Sequence, residues 1–77
     1  MPKDVPLKLS QHALDRLRER GILEDDVRWA LARRIGRSEP GQPGSVWIRG
    51  YASGGRILKV CVRQDDESRV ITAVWPD

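Results

Sequence analysis

The stretch Ser45-Val46-Trp47-Ile48-Arg49-Gly50-Tyr51-Ala52-Ser53-Gly54-Gly55-Arg56-Ile57-Leu58-Lys59-Val60-Cys61-Val62-Arg63 decides the fold. Two runs rich in β-branched and aromatic residues flank Ser53-Gly54-Gly55-Arg56, the pattern of a β-hairpin with its turn. Side chains alternate across a strand, so the length of the loop determines which residues share a face. A three-residue loop puts Val46, Ile48, Ala52, Leu58, Val60 and Val62 together. The other face then carries Trp47, Arg49, Tyr51, Lys59, Cys61 and Arg63. A two-residue loop would turn the first strand over and bury Arg49 as an unpaired charge, which is costly. The three-residue loop is therefore predicted, with strands over 45–52 and 57–63.

Outward from the hairpin, Asp65-Asp66-Glu67-Ser68 makes a second turn and 69–75 a third strand. Ile71, Ala73 and Trp75 join the apolar face, and Thr72 joins the open one. Arg49, Cys61 and Thr72 are expected in one cross-strand row. In the other direction lies a Gly/Pro-rich connection over 36–45, preceded by two amphipathic helices. The first runs over 11–20. Ser10 suits its N-cap, Ala13, Leu14 and Leu17 form its apolar stripe, and Gly21 fits a left-handed helix end. Ile22 packs back onto that stripe. The second runs over 24–35, with Val27, Ala30, Leu31 and Ile35 facing the core. Glu24, Asp25 and Asp26 in its first turn and Arg33 and Arg34 near its end complement the helix dipole. Leu23 stands where a Ser or Thr cap is usual, so this helix relies on its acidic first turn. Trp29 faces away from the core, to serve an interface or a stacked base, or to be covered by the loop 40–43. The fold class predicted is α+β, with two N-terminal helices packed on one face of a three-stranded antiparallel meander.

Seventy-seven residues make a single domain, 1–77. A chain of this size buries only about 60% of the surface its unfolded form exposes, which favours a surface groove over a deep pocket. The lone cysteine, Cys61, cannot form an internal disulfide, and mid-strand it reads as a packing residue. One His and one Cys far apart make no zinc site, and no cofactor or metal is expected. No apolar run is long enough to span a membrane, and Met1-Pro2-Lys3-Asp4 lacks the apolar segment of a secretory signal. A cytoplasmic protein is the expectation. The formal net charge is +3, from 14 basic and 11 acidic residues. Between Val27 and Gln64, eight basic residues stand against one acid, Glu39. Positive charge concentrated in one region favours a polyanionic partner such as nucleic acid, although abundant Arg also arises from a GC-rich genome.

His12, Arg16 and Arg20 recur every four residues and so form a nearly straight ridge along the first helix, beside the apolar stripe. A histidine can move protons near neutral pH, and guanidiniums hold phosphate by paired N–H donors. The set suits phosphodiester chemistry. The structural alternative has His12 making a hydrogen bond at the helix start, with Arg16 and Arg20 pairing to Glu19, Glu24 or a sheet-edge carbonyl. A second basic surface is the open sheet face. Arg49, Lys59 and Arg63, interleaved with Tyr51 and Trp47, suit unstacked RNA bases, or simply a solvated face.

The stretch Leu9-Ser10-Gln11-His12-Ala13-Leu14-Asp15-Arg16-Leu17-Arg18-Glu19-Arg20-Gly21-Ile22, followed by Glu24-Asp25-Asp26-Val27 and closed by Val70-Ile71-Thr72-Ala73-Val74-Trp75, resembles a family of small bacterial proteins catalogued as a domain of unknown function. That family is grouped by distant similarity with the barnase–EndoU–colicin–RelE ribonuclease fold and resembles the RelE and BrnT toxins. The resemblance implies helices on one face of an antiparallel sheet. It implies toxin-like, metal-independent RNA cleavage by 2′-hydroxyl attack on phosphate, with His12, Arg16, Arg20 and Thr72 as the matching catalytic positions. Arg49, Lys59, Arg63 and Tyr51 are the expected RNA-binding residues. The competing expectations are a non-catalytic nucleic-acid-binding module and a protein-interaction domain, as half of a homodimer or the partner of an antitoxin protein.

Overall fold

The structure, a computed structural model, describes residues 6–76; the stretch Met1-Pro2-Lys3-Asp4 that was read for a leader lies outside them. The central hairpin closes on the predicted three-residue loop. Strands Ser45–Tyr51 and Ile57–Arg63 pair antiparallel with Val46 opposite Val62 and Ile48 opposite Val60. The Ala52 N–H donates to the Arg56 carbonyl at 2.8 Å, and Gly55 takes a positive φ of 86° in the turn.

In chain order the elements are β1 (Lys8–Leu9), α1 (Gln11–Glu19), α2 (Glu24–Ala32), β2 (Glu39–Pro40), β3 (Ser45–Tyr51), β4 (Ile57–Arg63) and β5 (Arg69–Val74). The sheet has five strands in the order β1-β5-β4-β3-β2, not three. It is mixed rather than purely antiparallel, because β1 runs parallel to β5. The two added strands are two residues each and sit at the two edges. The α+β class and the two helices on one sheet face stand as expected. Leu17, Ile22, Val27 and Ala30 share one buried cluster with Ile48, Leu58, Val60, Val62, Val70 and Ala73.

Helix α1 begins as its cap residue dictates: Ser10 Oγ accepts from the Ala13 N–H at 3.1 Å. It ends at Glu19, with Arg20 as the cap residue and Gly21 at φ 67°. Helix α2 stops at Ala32, three residues short of expectation. Residues 33–35 leave the helix to pair with β3: the Ile35 N–H donates to the Arg49 carbonyl at 2.8 Å, and the Tyr51 N–H to the Arg33 carbonyl at 3.1 Å. Arg33 and Arg34 thus lie beyond the helix rather than in its last turn. The acidic first turn acts as anticipated, through one residue. Asp26, 7% exposed, accepts from the Leu23 N–H at 3.1 Å and from the Ser53 N–H and hydroxyl at 3.3 and 2.6 Å. It ties the start of α2 to the central hairpin turn. Where α2 crosses β3 the two backbones touch, and a Cβ at Gly50 would overlap the Ala30 carbonyl.

Strand β5 departs from simple alternation. Val62 pairs with Val70, but Cys61 pairs with Thr72, so Ile71 is the extra residue of a β-bulge. Val70 takes the core position and is 3% exposed, whereas Ile71, expected in the core, is 41% exposed. Trp75 is half-buried against the core cluster. Trp29 is also half-buried, and it is the Arg33 guanidinium, 4.5 Å from the ring centre, that stacks on it. The loop after β2 lies instead by Trp47, whose ring a Cβ at Gly41 would touch at 3.4 Å.

Candidate functional site

The ridge on α1 meets the sheet at β5. Helix α1 packs along β5 and carries Arg20 to its unpaired edge. There Nη1 of Arg20 donates to Thr72 Oγ1 and to the Ala73 carbonyl, both at 2.9 Å. The Arg20 carbonyl accepts from the Trp75 indole N–H at 2.9 Å, and Arg56 stacks over the Trp75 ring at 4.2 Å. Arg20 therefore fastens the helix end to the last strand, with one of its two possible partners being the sheet-edge carbonyl of the structural alternative. A guanidinium has five N–H donors, and Nη1 holds two of them. The Nε and Nη2 donors stay open on an exposed group whose direction is already fixed.

Arg16 follows the structural alternative, pairing with Glu19 at 3.1 Å on the exposed surface. An exposed i, i+3 pair of this kind contributes at most a few tenths of a kcal/mol, so it yields readily to a better anion. The His12 side chain is exposed and makes no hydrogen bond or ion pair among the described residues, so the helix-start bond of the structural alternative does not form. At 1.5 Å per residue, His12 and Arg20 stand about 12 Å apart along the helix axis, with Arg16 midway.

His12 borders a shallow groove of about 670 Å³ lined by Leu7, Lys8, Leu9, Ser10, Arg69, Val70 and Ile71. Lys8 and Arg69 are paired neighbours on β1 and β5. Lys8 is held by Asp66 at 2.9 Å, and Asp66 also accepts from the Ser68 hydroxyl at 2.6 Å and its N–H at 3.1 Å. Those hydrogen bonds, that of Ser68 foremost and then Lys8, hold the Asp66 carboxyl well below the usual carboxylate range. Its neighbours follow the same pattern: the Arg63 hydrogen bond lowers Asp65, and the Arg34 hydrogen bond, at 2.5 Å, lowers Glu67. The Arg69 side chain has no partner among the described residues.

The open sheet face divides the other expected site residues. Cys61 pairs with Trp47 and Thr72, so the row runs Trp47–Cys61–Thr72; Arg49 is not in it but opposite Lys59, one row along. Adjacent strands lie about 4.8 Å apart, so Arg49 is roughly 10 Å from the Thr72 strand. Its guanidinium pairs with Glu39 on β2 at 3.6 Å, away from β5. Arg63 pairs with Asp65 at 3.2 Å, and the Lys59 ammonium lies 5.2 Å from the centre of the Trp47 ring. Tyr51 is exposed opposite Ile57. Cys61 is buried between these side chains, a packing residue as expected. The structure thus brings together Arg20 and Thr72, with Arg16 and His12 along the same helix, and leaves Arg49, Tyr51 and Arg63 as a separate surface. Sequence reasoning gave Arg69 no role and put Ile71 in the core, because the bulge that turns Ile71 outward interrupts an otherwise regular apolar alternation.

No group of three or more metal-ligating side chains occurs among the described residues, and no described helix is long and apolar enough to cross a membrane. The class so defined is a small α+β domain with a basic helical ridge seated on the edge of its last strand. The family model described as Domain of unknown function (DUF4258) matches residues 9–75, and the chain belongs to that family. The match begins at Leu9 and ends at Trp75, so it contains the whole ridge together with Thr72. No curated protein matches the chain, and no solved structure matches it.

Proposed function

We propose that this chain is a toxin-like, metal-independent ribonuclease, and that its site lies on the edge formed by α1 and β5 rather than on the open sheet face. The observation that carries the reading is the Arg20–Thr72 hydrogen bond. It unites residues 52 positions apart and presents the remaining guanidinium donors to solvent in a fixed orientation. Donors held in place before the substrate arrives stabilise developing negative charge more than mobile ones do. The ridge motif belongs to the part of the chain that the family model matches, and the distant resemblance of that family to the RelE and barnase type of ribonuclease implies the same activity, with RNA as the partner and the cytoplasm as the location.

In this mechanism His12 accepts the 2′-hydroxyl proton as the 2′-oxygen attacks phosphorus. The bond to the 5′-oxygen breaks, leaving a 2′,3′-cyclic phosphate, and the 5′-oxygen takes a proton from solvent or from His12. Arg16, one helical turn from His12, neutralises the reacting phosphate once Glu19 is displaced. Arg20 and Thr72, a further turn along, hold the neighbouring phosphate, because a ridge about 12 Å long exceeds a single phosphate group. Incubating the pure protein with RNA beside its His12→Ala variant tests this. Cleavage with a cyclic phosphate end is expected from the parent and not from the variant. Equal cleavage by both, or by neither, sinks the reading.

One observation favours a non-catalytic RNA-binding module as the second reading. The ridge offers a single proton-transfer side chain, where general acid and general base are commonly separate groups. Such a module binds RNA with a log–log salt slope of roughly −0.7 per phosphate contacted and cleaves nothing.

A further inference from the structure

We infer that the groove between β1, the start of α1 and the bulge of β5 is a subsite for one nucleotide of single-stranded RNA, with the base on Ile71 and the phosphate between Arg69 and His12. The inference rests on RNA as the partner, and it deepens that reading by locating a base-binding position. Three observations converge. The groove holds about 670 Å³, room enough for a nucleotide. Its lining includes Arg69 and His12, whose side chains have no partner among the described residues, so a cation and a proton-transferring group border it uncompensated. Most other cations among the described residues are already engaged by carboxylates, carbonyls or rings. The floor is apolar, formed by Leu7, Leu9, Val70 and Ile71. Ile71 stands 41% exposed there only because the bulge turns it out of the core.

Bulges re-aim side chains and are over-represented beside active sites. Here the bulge places Ile71 in the groove, next in sequence to Thr72, which bonds Arg20. The subsite is therefore contiguous with the ridge site, and a chain lying along α1 would pass from one to the other. An apolar floor beside cationic groups fits a base with its phosphate, since every base offers a flat π-face and every nucleotide a negative charge. The Ser10 hydroxyl oxygen caps the helix, which leaves its own O–H to donate to a ribose or phosphate oxygen.

The test is an NMR titration of the full chain with uridine and adenosine 3′-monophosphates and, separately, with inorganic phosphate. The nucleotides are expected to shift the His12 ring and the amides of Arg69, Val70 and Ile71, and to bind more tightly than phosphate alone. Ile71→Ala, which removes the apolar surface without adding charge, should weaken nucleotide binding about ten-fold, the loss of one base contact, and leave phosphate binding unchanged. Ile71→Thr, which keeps a β-branched residue, should weaken it less, and matching thermal melts for both variants exclude misfolding. Arg69→Glu should weaken nucleotide and phosphate alike. Shifts confined to the Arg49–Lys59–Arg63 surface, phosphate binding as tightly as nucleotide, or an acidic peptide competing while RNA does not, each overturn the subsite. The two proposals fail separately. Nucleotide binding in the groove without any RNA cleavage removes the ribonuclease and keeps the subsite, whereas His12-dependent cleavage with shifts elsewhere does the reverse.

Discussion

Helices α1 and α2 have nine residues each and rest on the same sheet face, yet they are fastened by different means. Helix α2 is held by backbone approach and buried polar contacts, with Gly50 beneath Ala30 and Asp26 locked to Ser53. Helix α1 is held at its exposed end by one arginine reaching over a strand edge, and its basic ridge keeps open donors. The α2 side has little to offer a ligand, because its polar groups are spent on each other. The α1 side leaves His12 open and presents three guanidinium donors of Arg20. The difference separates scaffold from site in a chain too short to keep them in separate layers.

This contrast can be broken most severely at Gly50. Gly50→Val drives a side chain into the Ala30 carbonyl, and a loss of about 3 kcal/mol or more is expected, enough to lower the urea midpoint sharply or abolish cooperative unfolding. Asp26→Ala removes the α2 cap and strands the Ser53 donors, with an expected loss of about 2 kcal/mol by the same measurement. Near-parental stability for either variant would erase the distinction between the two helices. On the α1 side, Thr72→Val removes only the hydroxyl that orients Arg20. A loss of about 1 kcal/mol is expected, together with a fall in RNA binding or cleavage larger than that loss explains. An unchanged activity would make the Arg20–Thr72 contact purely structural. The smallest effect belongs to the Lys8–Asp66–Ser68 latch beside the groove. The folded Asp66 carboxyl titrates below its unfolded value, so its stabilisation is complete above about pH 4 and fades as the pH falls further. Thermal melts should therefore be flat in this respect from pH 7 to about 5, and Asp66→Asn should blunt the decline below pH 4.

The sequence carried the parts of this molecule that depend on local chemistry. Ser10 marked the start of α1, Gly21 its end, and the three-residue loop at Ser53 set the faces of β3 and β4, because each depends on residues close in the chain. The edge strands β1 and β2 escaped detection, since two residues have no periodicity. The early end of α2 escaped because residues 33–35 are claimed by β3, with Arg34 opposite Gly50, a pairing across sixteen positions that no local propensity encodes. For the site, the ridge was readable from its four-residue spacing and Thr72 from family likeness. Their contact was not, and neither were Arg69 and Ile71. A bulge shifts the register by one residue and leaves the composition of the strand untouched.

The two edge strands bear on how the protein survives at high concentration. Between them lie three strands rich in Val and Ile, the composition that pairs readily with copies of itself when an edge is exposed. Here each outermost strand is only two residues long. One carries Lys8 and the other Pro40, which has no N–H to donate. Short edges, a lysine and a proline are the devices by which sheets avoid growing into fibres. Lengthening β2 by replacing Pro40 with a β-branched residue would extend the template, so the two least conspicuous strands guard the molecule against aggregation.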